Sequence, residues 1–528
     1  MIFHFHITYK AMFGEQLVLN IQKDGEELKF PLTTLNGEQW SYEWCVEPAQ
    51  KSYTYYYSVE REGRVVKTEW LLVKHQMDVT AKKASEYTIY DHWKVMPEDA
   101  YLYSSAFTDC INHQTPQEMK AESYDKVVRL IVRAPQLRDG ERLGVLGADK
   151  ALGAWKEENV LAMAQHTYNE WVVDIDANQL GGSHMEFKFV AQDHHRKQVL
   201  WETCQNRTID LPKMKPGEVV CYDLDQSFFT LYDRHLAGTL VPVFSLRSEK
   251  SAGVGDFGDL VSMIDLVAKT GQKVLQLLPI NDTTITHTWT DSYPYSCISI
   301  FALHPQYANL HALPALKDAK AREEAEKTRR QLNALRQIDY EKVNDFKINY
   351  LRQIFNQEGE KMMKSADFKA FFQETQQWLV PYAQYSYLRD KNGTADFSKW
   401  PDHNIWDEAE RKQLSDPKSK AYKEVEFFYF LQYVLNQQMQ EAHEHAKAKG
   451  VILKGDIPIG VNRYGCDVWM EPKYFNLNGQ AGAPPDDFSV NGQNWGFPTY
   501  NWYEMLKDGC QWWVRRFQNM AKYFDAYR

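Results

Sequence analysis

The chain has 528 residues, 44% apolar and 25% charged, more than one hydrophobic core usually supports, so two or more folded domains are expected rather than disorder or a fibre. A net charge of −10 without any Lys/Arg-rich run argues against nucleic acid as a partner. The opening MIFHFHITYK has no basic-then-apolar leader and no run of 18 apolar residues follows, which disfavours export and membrane insertion.

Residues 1–95 alternate polar and apolar in short runs such as FHFHITYK, EQLVLNIQK and SYTYYYSVE, separated by Gly- and Asn-containing turns, the grammar of an antiparallel β-sandwich. Residues 96–123 lack clear periodicity and read as a linker. A second strand-rich stretch, 124–225, runs from KVVRLIVRA to VVCYDL and reads as a second sandwich. From residue 236 the pattern changes. TLVPVFSL, the helical DLVSMIDLVAKTG and the apolar KVLQLLPI form a βαβ unit and predict a parallel sheet. Charged, helix-period sequence dominates residues 311–449, a helical insertion whose charge is expected on a solvated face. VILKGDIPIGV follows as a third strand, then a Gly/Pro/Asn-rich loop over 478–498, the helix of YNWYEMLKDGCQWWVRRFQNMAKY, and FDAYR as the opening of a fourth strand.

Seven cysteines, an odd number without a CxxC pair, fit free thiols in a reducing compartment, the cytoplasm. The 16 Trp and 31 Tyr suit flat, partly polar ligands as well as large aromatic cores. GVGDFG at Gly253 to Gly258 matches a dinucleotide-binding pattern, with Asp282 ending the next strand. However, SLRSEKSA separates its glycines from the preceding strand, so a pyrophosphate has no helix terminus to sit on in the usual way. His4 and His6, His194 and His195, and His443 and His445 lack metal-ligand spacing, and neither a GxSxG elbow nor a Cys-centred nucleophile appears. No cofactor and no metal is implied.

The second sandwich carries LGVLGADKALGAW ending at Trp155, MEFKFV with Lys188, and VLWETCQNRTI with Trp201, Asn206 and Arg207. This set resembles the starch-binding carbohydrate module. The resemblance implies that Trp155 and Trp201 stack on adjacent glucose rings while Lys188 and Asn206 bond sugar hydroxyls, which suits the C–H face and polar rim of glucose. The first sandwich keeps a counterpart of one aromatic, Trp70, has Tyr56 where Lys188 would lie, and lacks the LGxW segment. It is expected to be a divergent copy or a spacer.

AGTLVPVFSLRSEKSAGVGDFGDL, LQLLPINDT, DSYPYSCISIFALHP, LKGDIPIGVNRYGCDVW and QAGAPPDDFSVNGQNWGFPTYNW together resemble the amylomaltase family, the 4-alpha-glucanotransferases of glycoside hydrolase family 77, over residues 236–528. The paired front modules point to its cytosolic plant-type branch. The resemblance implies a (β/α)8 TIM barrel, of which this stretch is about the first half, with site residues at the carboxyl ends of the strands. Tyr295 is then expected to line the sugar sites and Asp456 to sit under the reacting glucose. Asp486, Gln493 and Trp495 are expected on a mobile loop. The plainer roles are a helix cap for Asp456 and an Asx-turn for Asp486 or Asp487. Tyr293 stands where shorter amylomaltases have Ser.

The implied reaction moves α-1,4-linked glucosyl units from maltose or maltodextrin to glucan acceptors by a retaining double displacement, which needs two carboxylates. In the family the nucleophile is an Asp two positions after the Arg that Arg528 matches, and the acid/base Glu comes later. By that pattern the chain holds no catalytic carboxylate, is expected to be a truncated and inactive piece, and Asp525 is not the nucleophile. A non-catalytic starch- or glycogen-binding protein and a simple glucan hydrolase are the rival readings.

Overall fold

The computed structural model describes residues 1–47, 49–112, 123–134, 137, 140–167, 169–193, 198–230 and 235–528. They form two compact units, Met1–Arg234 and His235–Arg528.

The first unit is built from short strands. In the front half these are β1 (Ile2–Thr8), β2 (Glu15–Lys23), β3 (Glu26–Pro31), β4 (Thr33–Thr34), β5 (Gln39–Cys45), β6 (Ser52–Arg61), β7 (Arg64–Thr68), β8 (His75–Asp78) and β9 (Glu86–His92). The second half adds β10 (Lys126–Arg133), β11 (Glu141–Gly147), β12 (Leu161–Ala162), β13 (Ala164–Thr167), β14 (Glu170–Asp176), β15 (His184–Asp193), β16 (Gln198–Trp201), β17 (Arg207–Asp210) and β18 (Glu218–Gln226).

The two expected sandwiches share a sheet. Eight strands run in the order β13-β14-β10-β18-β9-β1-β5-β4, and the halves join where β9 and β18 pair in parallel, Glu86–Tyr90 against Glu218–Tyr222. The sheet β3-β2-β6-β7, with β8 on β6, covers one half of this shared sheet. The sheet β12-β11-β15-β16, with β17 on β15, covers the other half from the opposite side. The alternation of side chains along a strand makes this possible. Val127, Val219 and Cys221 point into the core of Phe3, Phe5, Ile7, Tyr87 and Ile89, while their neighbours Val128, Leu130 and Tyr222 point into that of Val145, Phe187 and Phe189. The stretch read as a linker also packs. Leu102, Tyr103, Ala106 and Cys110 are buried, and Tyr103 lies edge-on to Trp70 with ring centroids 5.2 Å apart.

The second unit carries four parallel strands in chain order, β19 (Gly238–Val241), β20 (Val274–Leu277), β21 (Ile452–Gly455) and β22 (Ala526–Tyr527). Helix α1 (Phe257–Lys269) joins β19 to β20. Helices α2 (Ala319–Asn333), α3 (Tyr340–Met363), α4 (Ala366–Asn392), α5 (Glu408–Leu414) and α6 (Tyr422–Ala448) lie between β20 and β21. Helices α7 (Cys466–Met470), α8 (Trp502–Lys507) and α9 (Gln511–Met520) precede β22.

The insertion is not a solvated appendage throughout. Helix α2 is mostly exposed, but α6 buries every residue from Phe427 to Leu435, which an uninterrupted FFYFLQYVL sequence dictates, and α4 packs against it through Phe368, Phe371 and Tyr382.

GVGDFG serves packing and capping. The Asp256 carboxylate accepts from the backbone N–H groups of Gly258 and Asp259, and Asp259 accepts from that of Asp256, a reciprocal cap on α1. A Cβ at Gly255 would lie 2.0 Å from the Val243 carbonyl oxygen. The helix-terminal amides that a phosphate would need are thus taken by the Asp256 carboxylate, which the buried Lys347 ammonium backs at 3.2 Å.

Candidate functional site

Two places gather the residues singled out from the sequence, one in each unit. On the second sandwich, Trp155 follows β11 and Trp201 ends β16. Their ring centroids are 6.2 Å apart and the planes are inclined by 38°. Ala154 and Trp155 both have positive φ, 50° and 59°, a costly backbone for residues other than glycine, and this pair of turns presents the Trp155 ring beside Trp201.

Three glutamates that the sequence did not single out hold the neighbouring groups. The Trp201 indole N–H donates to Glu157 at 2.8 Å, Asn206 donates to Glu186 at 2.8 Å, and the Lys188 ammonium donates to the Glu202 carbonyl oxygen at 3.2 Å. The buried Glu202 carboxylate also takes the Arg207 guanidinium (Nε 3.0 Å) and the Phe189 amide (2.9 Å), which fixes the strand segment between Trp201 and Asn206. Their signal was the E-x-K spacing of Glu186 and Lys188 and the Glu that closely follows each tryptophan. Paired with half-exposed indoles, the amide and ammonium leave donors at the rim of an aromatic face, suited to a polyhydroxyl ring.

In the first sandwich Trp70 is half-buried against Tyr103, and its amide donates to the Lys94 carbonyl oxygen. Tyr56 donates to Glu27 at 3.1 Å and lies under the Lys74 ammonium. The structure does not bring Trp70 and Tyr56 together as it does the second sandwich's set. His4 pairs with Glu86 and Glu43, and His6 stacks on Tyr90. His194 and His195 lie outside the described residues.

In the second unit, adjacent strands β21 and β22 pair Lys454 with Ala526 and Gly455 with Tyr527, so the next residues, Asp456 and Arg528, emerge side by side. Arg528 grips Asp456 with two parallel contacts, Nε to Oδ1 at 2.9 Å and Nη2 to Oδ2 at 2.8 Å. The Tyr295 hydroxyl donates to Asp456 Oδ2 at 2.5 Å and accepts from Arg528 Nη2 at 2.8 Å. Asp456 is 1% exposed, whereas the Arg528 side chain is 60% exposed, so the triad has one buried and one open end. Burial and the neighbouring carboxylate push the Tyr295 phenol up to about 12, which keeps it a donor at neutral pH.

The loop bearing Tyr295 is anchored at several points that the sequence did not disclose. Asn462 reaches the Cys297 carbonyl oxygen with its amide and the Ser296 hydroxyl with its side chain. Asp467 accepts from the Ile300 amide at 2.8 Å. The Gln432 carboxamide both accepts from and donates to the backbone of Leu303 at 2.8 Å. Burial drives the Asp467 carboxyl up to about 7.

Asp486, Gln493 and Trp495 sit on an exposed hairpin in which Gly482–Ala483 pairs with Gln493–Asn494. Asp486 accepts from the amides of Phe488 and Ser489 (2.9 and 2.7 Å), an Asx-turn, and the Trp495 indole donates to Gln493. Among the described residues, no hydrogen bond joins this hairpin to Tyr295, Asp456 or Arg528. Asp525 is buried and engaged by His443 at 2.8 Å and by the Leu453 amide at 3.0 Å, which makes it a strand fastener.

Residues 127–220 match the starch binding domain model, and residues 241–528 match that of the 4-alpha-glucanotransferases of glycoside hydrolase family 77. The chain is similar to the 4-alpha-glucanotransferase DPE2 of Oryza sativa subsp. japonica, 37% identical over 83% of this chain and 47% of that protein. It is also similar to the 4-alpha-glucanotransferase of Chlamydia muridarum, 32% identical over 55% of this chain and 54% of that protein. Among solved structures, the amylomaltase from Streptococcus agalactiae in complex with acarbose is 25% identical, with 56% of this chain and 59% of that chain covered and a TM-score of 0.48. The chain spans about half the length of the curated relatives it matches. With the model match covering more than half of its residues, the chain belongs to the 4-alpha-glucanotransferase family.

Proposed function

We propose that the protein carrying this chain is a cytoplasmic 4-alpha-glucanotransferase that moves α-1,4-linked glucosyl units from maltose or maltodextrin to glucan acceptors with retention of configuration. The observation that carries this reading is the Tyr295–Asp456–Arg528 triad at the carboxyl ends of neighbouring parallel strands, where (β/α)8 enzymes hold their substrates. Arg528 neutralises Asp456 and occupies both its oxygens from one side, so Asp456 serves to accept sugar hydroxyls and to orient Arg528 and Tyr295 rather than to attack carbon. The four parallel strands are read as part of a (β/α)8 barrel over 236–528. Residues 1–95 and 124–225 are read as two modules, of which the second grips α-glucan through Trp155, Trp201, Lys188 and Asn206. Seven free thiols support a reducing compartment.

In a retaining transfer, one carboxylate forms a glycosyl-enzyme and a second protonates the leaving oxygen, and an acceptor hydroxyl then replaces water in the second half. The hairpin of Asp486, Gln493 and Trp495 is read as the cover that keeps water from that intermediate, its Asx-turn setting the tip. The test is incubation of the protein, at the length of its relatives, with maltotriose and glycogen. Glucose release with the total number of reducing ends constant is expected. A steady rise in reducing ends identifies a hydrolase, and binding without turnover identifies a glucan-binding protein.

A further inference from the structure

A charged layer is enclosed between the two sandwiches of the first unit. On the face of the shared sheet toward the first core, alternation places Arg129 and Arg133 of β10, Glu170 and Asp174 of β14, Asp223 of β18 and Asp91 of β9. On a lone second sandwich the β10, β14 and β18 positions would face solvent. Here Arg129, Arg133 and Glu170 are at most 5% exposed, and the side chains of Asp91 and Asp223 are 2% and 5% exposed. The first sandwich covers them with His75 and Asp78 of β8, His92 of β9 and Lys94, and His166 of β13 joins the layer.

Each of the three histidines has a carboxylate at both ring nitrogens. His75 faces Glu69 from Nε2 at 3.1 Å, and Asp223 and Asp91 from Nδ1 at 3.2 and 3.5 Å. His92 faces Asp223 from Nδ1 and Asp225 from Nε2, both at 3.1 Å. His166 faces Asp78 from Nε2 and Glu170 from Nδ1 at 3.6 Å. At His75 a neutral imidazole, with one N–H and one lone pair, would aim a lone pair at a carboxylate oxygen in either tautomer. The buried ring nitrogens of His92 and His166 meet their carboxylates at ion-pair distance without an aligned hydrogen bond, so that attraction of opposite charges favours the imidazolium there. Only the imidazolium offers a proton on both sides.

We infer that imidazolium–carboxylate pairs fasten the two sandwiches into one body, and that the seam between β9 and β18 loosens when His75, His92 and His166 give up their protons. Of the other groups near these rings, Lys94 opposes charge on His75, as does the His92 ring, its centroid 6.2 Å from that of His75, while the tyrosines and Arg133 hold the carboxylates in place. Lys94 lies 3.2 Å from Glu170 and 4.0 Å from Asp223. Tyr55 and Tyr57 donate to Asp91 at 3.0 and 2.8 Å, and Arg133 reaches Asp225 at 3.1 Å.

Burial, together with Lys94, opposes the charge on His75, yet Glu69, Asp91 and Asp223 outweigh both and bring it to about 9. Burial likewise opposes charge on His92 and His166, whose carboxylates bring them to about 10 and about 9. A histidine raised above its ordinary 6.5 contributes stability that is complete below that value and is lost progressively as pH climbs from there to 9 or 10. His75, Asp91 and Asp223 also lie close enough to share a divalent ion, but the Nδ1 proton and the Lys94 ammonium supply the positive charge there instead.

Cys221 reports on this seam. It lies on β18 opposite Ile89 and is 2% exposed, while Cys297 in the other unit is equally buried, and burial pushes both thiols up to about 12. A maleimide reaches either thiol only after local opening, where both titrate as ordinary cysteines, so the ratio of their labelling rates, read by peptide mass spectrometry on the full chain, cancels the thiolate fraction. The ratio is expected to stay flat below about pH 6 and to rise at least about tenfold between pH 6.5 and 9. His75→Gln should give about the same rise already at pH 6, where the wild-type pairs are intact.

A flat ratio to pH 10.5, a wild-type ratio in His75→Gln, or one equivalent of zinc retained per chain overturns the inference. Should His75→Gln fail to fold, Asp225→Asn, at a side chain 56% exposed, removes one partner of His92 and is expected to move the midpoint down by about half a pH unit or more. An unmoved midpoint in that variant also overturns it. The outcome does not depend on the proposed function.

Discussion

Arg528 and Asp456 follow directly on two neighbouring parallel strands, and their two-pronged contact, 2.9 and 2.8 Å, is completed by the Tyr295 hydroxyl at 2.5 Å. The strand register delivers the carboxylate and the guanidinium to the same level, and a separate loop brings the phenol over them.

Arg528→Lys should expose how much of the site depends on that planar fork, because an ammonium cannot engage both carboxylate oxygens and the phenol together. The transfer rate is expected to fall by about a hundredfold or more, the typical consequence of an ångström of misplacement, and Asp456→Asn should fall at least as far. Binding of soluble starch by the second sandwich should be unchanged in both. Steady-state transfer assays with maltotriose, alongside affinity electrophoresis in starch, check this. A loss smaller than threefold would remove the triad from the reaction.

The glucan face of the second sandwich separates stacking from orientation. Losing both rings in Trp155→Ala with Trp201→Ala should abolish starch binding. Glu157→Ala keeps both rings but frees the Trp201 indole from its 2.8 Å bond, and should weaken binding by about fivefold, the worth of roughly 1 kcal/mol of hydrogen bonding. Circular dichroism confirming the fold, with β-cyclodextrin titrations by calorimetry, distinguishes the two. Equal losses in both variants would mean that Glu157 contacts the sugar itself.

Much of this was legible in the sequence, and what was not has a physical cause. Strands of the first unit and the strand-helix-strand order of the second follow from period-2 and period-3.6 patterns, and Tyr295, Asp456 and Arg528 came from motifs. The shared sheet did not, because β9 and β18 are parallel neighbours about 130 residues apart and no turn signal links them. Arg129, Glu170 and Asp223 alternate with apolar neighbours as a solvent-facing row would, so the pattern hides that another sandwich covers them. Glu157, Glu202 and Gln432 act through partners distant in sequence, and a lone Glu or Gln on a strand end or helix carries no local signal of that.

Asp467 should give the second unit an unusual pH dependence. Burial raises its carboxyl from the ordinary 3.8 to about 7, so the folded state prefers the neutral acid, and ionisation costs stability progressively as pH rises from about 4 to 7. Asp467→Asn keeps an acceptor for the Ile300 amide without the charge. Its melting temperature should match that of the wild type near pH 3 and exceed it at pH 7.5, the gap reflecting a few kcal/mol at most, since each tenfold change in proton affinity is worth about 1.4 kcal/mol. Calorimetric scans at both values check this. A variant less stable at pH 7.5 would show that the ionised carboxylate is paired and favourable.

Gln432 is the residue expected to couple the insertion to the site. Its carboxamide closes two bonds of 2.8 Å with the backbone of Leu303, imitating a strand partner, and its N–H also reaches the Tyr382 hydroxyl at 3.2 Å. Tyr382 in turn donates to Asp282 at 2.7 Å. The Asp282 backbone accepts from Ile298 and donates to Ala302, on either side of the Asp467 contact at Ile300. Helices α4 and α6 thus hold the descending end of the loop that carries Tyr295 at its other end. Gln432→Leu preserves volume but leaves a buried N–H and C=O of Leu303 without partners, at a cost of about 2–4 kcal/mol in stability. If the clamp also sets the position of Tyr295, the variant should lose about tenfold or more in kcat for transfer at a temperature where it remains fully folded, while KM changes less. Loss of stability with kcat intact would confine Gln432 to the core.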